Sequence, residues 1–199
     1  MAFLMVALAL TFGLSLPFSV GAQEAEVVYL PQTGHTLRGE FLRFYQEHDG
    51  DRLFGYPLTE EFVENGLRVQ YFQNVRMEWH PENPHPYQVE LGLLGEILHG
   101  REPPISSSEI PPADNPKRRY YPETGHTVSF AFLDFFNEHG GIDIFGYPIT
   151  EFLLEGGIIV QYFQRACLEW HEDDPVEQIK LAPLGEIYLE NRILSLPWR

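Results

Sequence analysis

The sequence predicts an α+β protein built from two homologous small modules. Each is an amphipathic helix followed by a β-hairpin and a closing strand/helix segment. Three recurring stretches carry this reading. Phe54-Gly55-Tyr56-Pro57 returns as Phe145-Gly146-Tyr147-Pro148, Val69-Gln70-Tyr71-Phe72-Gln73 as Val160-Gln161-Tyr162-Phe163-Gln164, and Glu78-Trp79-His80 as Glu169-Trp170-His171. The offset is 91 residues each time, far longer than a solenoid repeat, and roughly half of the aligned positions are identical. A chain of 199 residues suffices for one ordinary domain or two small ones.

Taken in order, residues 2–22 are uncharged and mostly apolar, ending in Val20-Gly21-Ala22. Small residues at that exit predict a signal peptide over 1–22, cleaved before Gln23, and hence a secreted or cell-surface-associated protein. A retained membrane anchor is the alternative reading of the same run. The first module spans 29–100 and opens at Tyr29-Leu30-Pro31-Gln32-Thr33-Gly34-His35-Thr36; the second spans 118–194 and opens at Tyr120-Tyr121-Pro122-Glu123-Thr124-Gly125-His126-Thr127. Thr36 and Thr127 are expected as helix N-caps. Leu37, Phe41, Phe44 and His48 then follow at helical spacing, as do Val128, Phe132, Phe135 and His139. Gly50 and Gly141 are expected to stop these helices. The Gly-Tyr-Pro corner turns the chain, with Thr59 capping a short helix into Phe62. Leu67–Phe72 and Val75–Trp79 read as a hairpin turning near Asn74, matched by 158–163 and 166–170. A strand-like piece closes each copy at Leu94-Gly95-Glu96-Ile97 and Leu184-Gly185-Glu186-Ile187. Residues 101–117 are rich in Pro and Ser and read as a semi-stiff tether.

Composition narrows the partners. With 29 acidic against 13 basic residues, the net charge of −16 repels nucleic acid, anionic lipid and polyanionic wall polymers. No nucleic-acid partner, no membrane contact beyond the signal segment and a monomeric state are therefore expected. Cys167 is the only cysteine, so no internal disulfide forms. It replaces Arg76 of the first copy and reads as a buried strand residue, not a nucleophile.

Three candidate chemistries arise from the repeated side chains. Glu78 and His80 alternate onto one strand face, and with a third histidine they offer zinc-type ligands, but no zinc-binding spacing accompanies them. No metal or cofactor is expected. Glu60 with Glu78, or Glu151 with Glu169, are the repeated acids for glycoside hydrolysis; Glu60 is better explained as a first-turn helix acid, and no catalytic residue is expected. The aromatics are too numerous for a small core alone. Tyr56, Tyr71, Trp79 and His80, with Tyr147, Tyr162, Trp170 and His171, form the candidate ligand-binding set. Aromatic faces beside polar groups can stack on a sugar while hydrogen-bonding its hydroxyls.

The Gly-aromatic-Pro corner, the Val-Gln-x-Phe hairpin and the closing Gly-x-Ile together resemble the LGFP repeat of bacterial cell-envelope and secreted proteins. Phe54-Gly55-Tyr56-Pro57 and Phe145-Gly146-Tyr147-Pro148 stand where the Leu-Gly-Phe-Pro signature would lie, two letters of four departing from it. The resemblance implies an accessory, non-catalytic role at the cell wall or outside the cell. The resulting expectation is a secreted binding protein for a cell-wall or extracellular polysaccharide. A structural or protein-interaction module and a small metal-dependent hydrolase are the alternatives.

Overall fold

A computed structural model describes residues 26–194, so the expected signal peptide lies outside the described residues. In the first module, β1 (Val27–Leu30) and β2 (His35–Arg38) form a two-stranded antiparallel ribbon. Helix α1 (Gly39–Glu47) and the short α2 (Gly50–Leu53) follow. Strands β3 (Phe62–Glu64), β4 (Leu67–Tyr71), β5 (Arg76–Trp79) and β6 (Val89–Leu91) then make an antiparallel meander, and α3 (Leu94–Leu98) ends the module. The second module repeats this with β7 (Arg118–Tyr121), β8 (His126–Ser129), α4 (Phe130–Glu138), α5 (Gly141–Phe145), β9 (Leu153–Glu155), β10 (Ile158–Tyr162), β11 (Cys167–Trp170), β12 (Ile179–Leu181) and α6 (Leu184–Leu194). The protein is α+β. Among the described residues no helix is long and apolar enough to cross a membrane.

Several local expectations give way to tertiary contacts. Thr36 and Thr127 lie in strands β2 and β8, and helices α1 and α4 start after Arg38 and Ser129 with no side-chain cap. The threonines are instead held by acids across the module. Thr36 donates its N–H and hydroxyl to Glu60 at 3.0 and 2.5 Å, and Thr127 does the same to Glu151 at 2.7 and 2.5 Å. Glu60 is therefore no first-turn helix acid. Thr59 caps no helix either, since its hydroxyl accepts the Tyr71 N–H at 3.1 Å and β3 follows. The first helix breaks at Asp49 (φ 52°) and its counterpart at Gly140 (φ 93°), so Gly50 and Gly141 begin the second helical turns instead of ending the first.

The Phe-Gly-Tyr-Pro corner is tied to the hairpin turn by one glutamine. Gly55 has φ 71°, and Gly146 φ 73°, a region closed to most side chains. Beyond each glycine, the Tyr56 N–H donates to Gln73 Oε1 at 2.9 Å and the Tyr147 N–H to Gln164 Oε1 at 3.0 Å. The Gln73 N–H returns a bond to the Tyr56 carbonyl at 3.0 Å, as Gln164 does to Tyr147. Three residues earlier, on β4, Gln70 is wholly buried and donates to the carbonyls of Thr36 (2.9 Å) and Thr59 (2.8 Å); Gln161 repeats this on Thr127 and Thr150. A buried amide left without such partners would be costly. The Gln-x-x-Gln of each hairpin is thus a structural clamp.

The same glutamines lock the modules together. The Glu186 N–H donates to the Gln73 carbonyl (3.1 Å) and Gln73 Nε2 to Glu186 Oε1 (3.0 Å); reciprocally, the Glu96 N–H donates to the Gln164 carbonyl (3.0 Å) and Gln164 Nε2 to Glu96 Oε2 (3.3 Å). Each closing helix therefore docks on the hairpin of the other module. Gly95 and Gly185 permit the approach, because a Cβ there would run into the carbonyl oxygens of Phe163 and Phe72. Phe41, Phe54 and Phe72 share one continuous core with Phe132, Phe145 and Phe163. The tether is likewise pinned. The Glu102 and Ile105 N–H groups donate to the carbonyls of Ile149 and Gly125, and Pro104 lies against Gly125. The two copies form one body, not two units on a free tether.

Gly185→Ala forces a methyl group against a backbone oxygen that cannot rotate away. Overpacking of this kind costs about 1–3 kcal/mol. We expect Tm to fall by roughly 2–4 °C for each kcal/mol in a chain of this size, with Gly95→Ala equivalent and an isolated 26–100 fragment showing no cooperative melt. An unchanged Tm in both variants contradicts the interlock.

Candidate functional site

The residues with enzymatic promise are occupied by the fold. Glu60 binds Thr36, and its Oε1 lies 3.3 Å from His35 Nδ1; these contacts hold its carboxyl below the usual range. Glu78 and His80 share a strand face as expected, 3.3 Å apart, and Glu169 and His171 are 2.9 Å apart. Burial alone would lower the His80 pKa, but hydrogen bonds to Glu82 and Glu78 outweigh it and raise it. Among the described residues no three His, Cys, Asp or Glu side chains are grouped to hold a metal ion. Cys167 is buried, which pushes its thiol well up and leaves it a poor nucleophile.

The eight ligand-binding candidates separate into three groups. Tyr71 is fully buried, so it offers no face to a ligand. Its ring stacks on Phe62 of its own module at 6.1 Å and on Tyr188 of the second at 5.6 Å, and its hydroxyl donates to Glu64 at 2.7 Å. Tyr71, expected among the ligand-binding aromatics, is instead covered by Tyr188 of α6. Tyr162 holds the equivalent place, half-buried, stacked on His99 of the first module at 4.1 Å and donating to Glu155 at 3.0 Å. Tyr56 and Tyr147 sit half-buried at the corners, Tyr147 edge-to-face with Tyr121. That leaves Trp79 with His80 and Trp170 with His171, at the outer ends of β5 and β11.

The two tryptophan faces differ. Over Trp79 lies the Arg68 guanidinium, 5.0 Å from its ring centroid and 5.4 Å from that of Phe41, a cation–π sandwich. Glu40 accepts from Arg68 Nη2 at 3.0 Å, and Glu61 lies 3.6 Å from its Nη1. Trp170 is half-buried, and among the described residues no cation lies over its ring. Phe130, Phe152 and Ile159 surround it and are 56%, 41% and 43% exposed, forming an apolar pocket of about 160 Å³. Phe152 is braced edge-to-face on Phe132 at 5.1 Å. An open groove of about 870 Å³ adjoins the pocket, sharing Ile159 and Trp170, and runs past Leu154 to His171, Glu172, Asp173 and Lys180. Its far wall is fixed by Asp174. The Lys180 ammonium at 2.8 Å and the N–H groups of Val176 and Glu177 hold that carboxyl down to about 2.

An aromatic plate beside a polar groove can stack on the C–H face of a ring while side chains bond its hydroxyls. Trp170 and His171 belong to the expected set; Phe130, Phe152 and Ile159 do not. They stand where the first copy has Gly39, Glu61 and Arg68. The signal for them lies in the differences between the two copies and not in their identities. No family model matches the sequence, and no curated protein matches it.

The third repeated histidine pair belongs to the module junction. His48 rests on Phe44 at 4.4 Å and His139 on Phe135 at 4.2 Å, and both line a small cleft with Glu47, Asp49, Arg52 and Glu138. Arg52 Nη2 donates to His139 Nε2 at 2.6 Å, which requires a neutral ring. Burial lowers both pKa values, with Arg52 adding to the effect at His139 and Glu47 opposing it at His48. The unfolded chain, with histidines near 6.5, then takes up protons that the folded one refuses. This contribution is complete above that value and is lost as pH falls below it; the raised His80 acts with the opposite sign. We expect Tm to drop between pH 7 and 5 and the drop to shrink in His48→Gln and His139→Gln. An identical slope in both variants refutes the assignment.

Proposed function

We propose that this chain is a secreted, non-catalytic binding protein that attaches to a cell-wall or extracellular glycan. The observation that carries the reading is the aromatic plate formed by the exposed Phe130 and Phe152 with the half-buried Trp170, opening onto the groove at His171. Apolar surface of this kind left uncovered marks an interaction site. The acidity of the chain favours an uncharged polysaccharide over a polyanionic one. The resemblance of the corners at Phe54 and Phe145 to the LGFP repeat supports a role at the cell envelope, and the apolar run over residues 2–22 supports export.

Protein recognition is the second reading. It is favoured by Leu154, 74% exposed on β9 at the open edge of its sheet, where aliphatic surface adds little to sugar stacking. A metal-dependent hydrolase has no comparable support, since Glu78, His80 and Glu60 already serve structural contacts.

Retention of the chain lacking residues 1–22 on insoluble cellulose, chitin and peptidoglycan separates these readings. We expect retention on at least one of them and a loss of about tenfold in affinity for Trp170→Ala, equivalent to about 1.4 kcal/mol. No retention on any of the three, or retention indifferent to Trp170, rules out glycan attachment through this face.

A further inference from the structure

The duplication supplies an internal comparison, because equivalent positions in the two modules share one backbone but carry different side chains. Around the repeated tryptophan the differences are concerted. Gly39, Glu40, Glu61 and Arg68 of the first copy are Phe130, Ala131, Phe152 and Ile159 in the second. An ion-paired arginine with its two carboxylates is replaced as a set by apolar groups. In the first copy the arginine occupies the aromatic face itself, lying over both Trp79 and Phe41.

The replacement at position 130 runs against the backbone. Gly39 has φ 54° and Phe130 φ 55°, so the fold demands the left-handed region at this helix start in both copies. Glycine adopts it freely, whereas a bulky L-residue there is disfavoured. Phe130 is also 56% exposed, so it returns little burial to the fold. A strained residue that the core does not need is a mark of function.

We infer that the protein is one-sided: the second module carries the ligand face, with Phe130 as a platform residue, and the first retains the same face closed by Arg68. Its occupant is a sugar segment without anionic groups. The groove's one lysine is engaged by Asp174, while Glu172 and Asp173 stand exposed beside it. This rests on the glycan reading and narrows it to one face per chain.

The test uses the chain lacking residues 1–22 on the polysaccharide that retains it. We expect Trp170→Ala and Phe130→Gly each to weaken retention several-fold and Trp79→Ala to leave it unchanged. A closing variant, Ala131→Glu with Phe152→Glu and Ile159→Arg, rebuilds the arrangement of the first copy and is expected to abolish retention. Thermal melts monitor its folding, and should it fail to fold, the single tryptophan variants still decide. Equal losses from Trp79→Ala and Trp170→Ala overturn one-sidedness but leave glycan binding standing. Absence of retention on every polysaccharide overturns both. Retention unmoved by Phe130→Gly but lost in Trp170→Ala overturns the role given to the strained phenylalanine.

Discussion

Everything in this molecule depends on the closing helix of each copy lying against the hairpin turn of the other at backbone distance. Gly95 and Gly185 make the approach sterically possible, and Gln73 and Gln164 make it polar-satisfied. Each glutamine bonds the corner of its own module with its side-chain oxygen and the helix of the other with its side-chain nitrogen and main-chain carbonyl. One residue therefore sets both the internal shape of a module and its attachment. A small copy buries a lower fraction of its surface than a larger domain does, and the shared phenylalanine core joins the apolar residues behind the two sheets into one cluster.

The two joints have solved the same packing problem with different chemistry. At one, Tyr71 lies between Phe62 and Tyr188, and Arg76 joins Glu64, Glu78 and the Tyr71 hydroxyl in a nearly buried network that Arg192 also enters. At the other, Cys167 takes the place of Arg76 and packs with Leu94, Val160 and Leu184, while Tyr162 stacks on His99. A buried charge stripped of its counter-charge is costly, whereas an apolar joint needs only volume. Because the first joint closes on charges from both modules, it also fixes which surfaces meet.

Symmetry inside and asymmetry outside define the functional logic. Gln73 and Gln164 with Glu186 and Glu96 maintain the interlock, while Thr36 and Thr127 with Glu60 and Glu151 hold the inside of each module. The outer tryptophan faces carry no such duty and have diverged, one covered by its own arginine, the other left open beside a groove. A binding role concentrated on the second module needs no motion of a tether, which the contacts of Glu102 and Ile105 hold in place.

Much of the architecture was legible in the sequence: the duplication, the hairpins over 67–79 and 158–170, the corners and the α+β class all follow from period and from Gly and Pro placement. The helix starts and the cap assigned to Thr59 were not, because their hydroxyls are drawn to partners some 12 to 24 residues away, such as Glu60 and the Tyr71 N–H. The fate of Tyr71 was equally hidden. Alternation identifies two faces of a strand but not that a helix from the other copy covers the second. The sequence by itself determined the repeated unit and the residues that shape it, since local periodicity and turn chemistry act over a few positions. Only the tertiary structure decided which aromatics remain exposed, because exposure is set by what another segment brings to rest upon them.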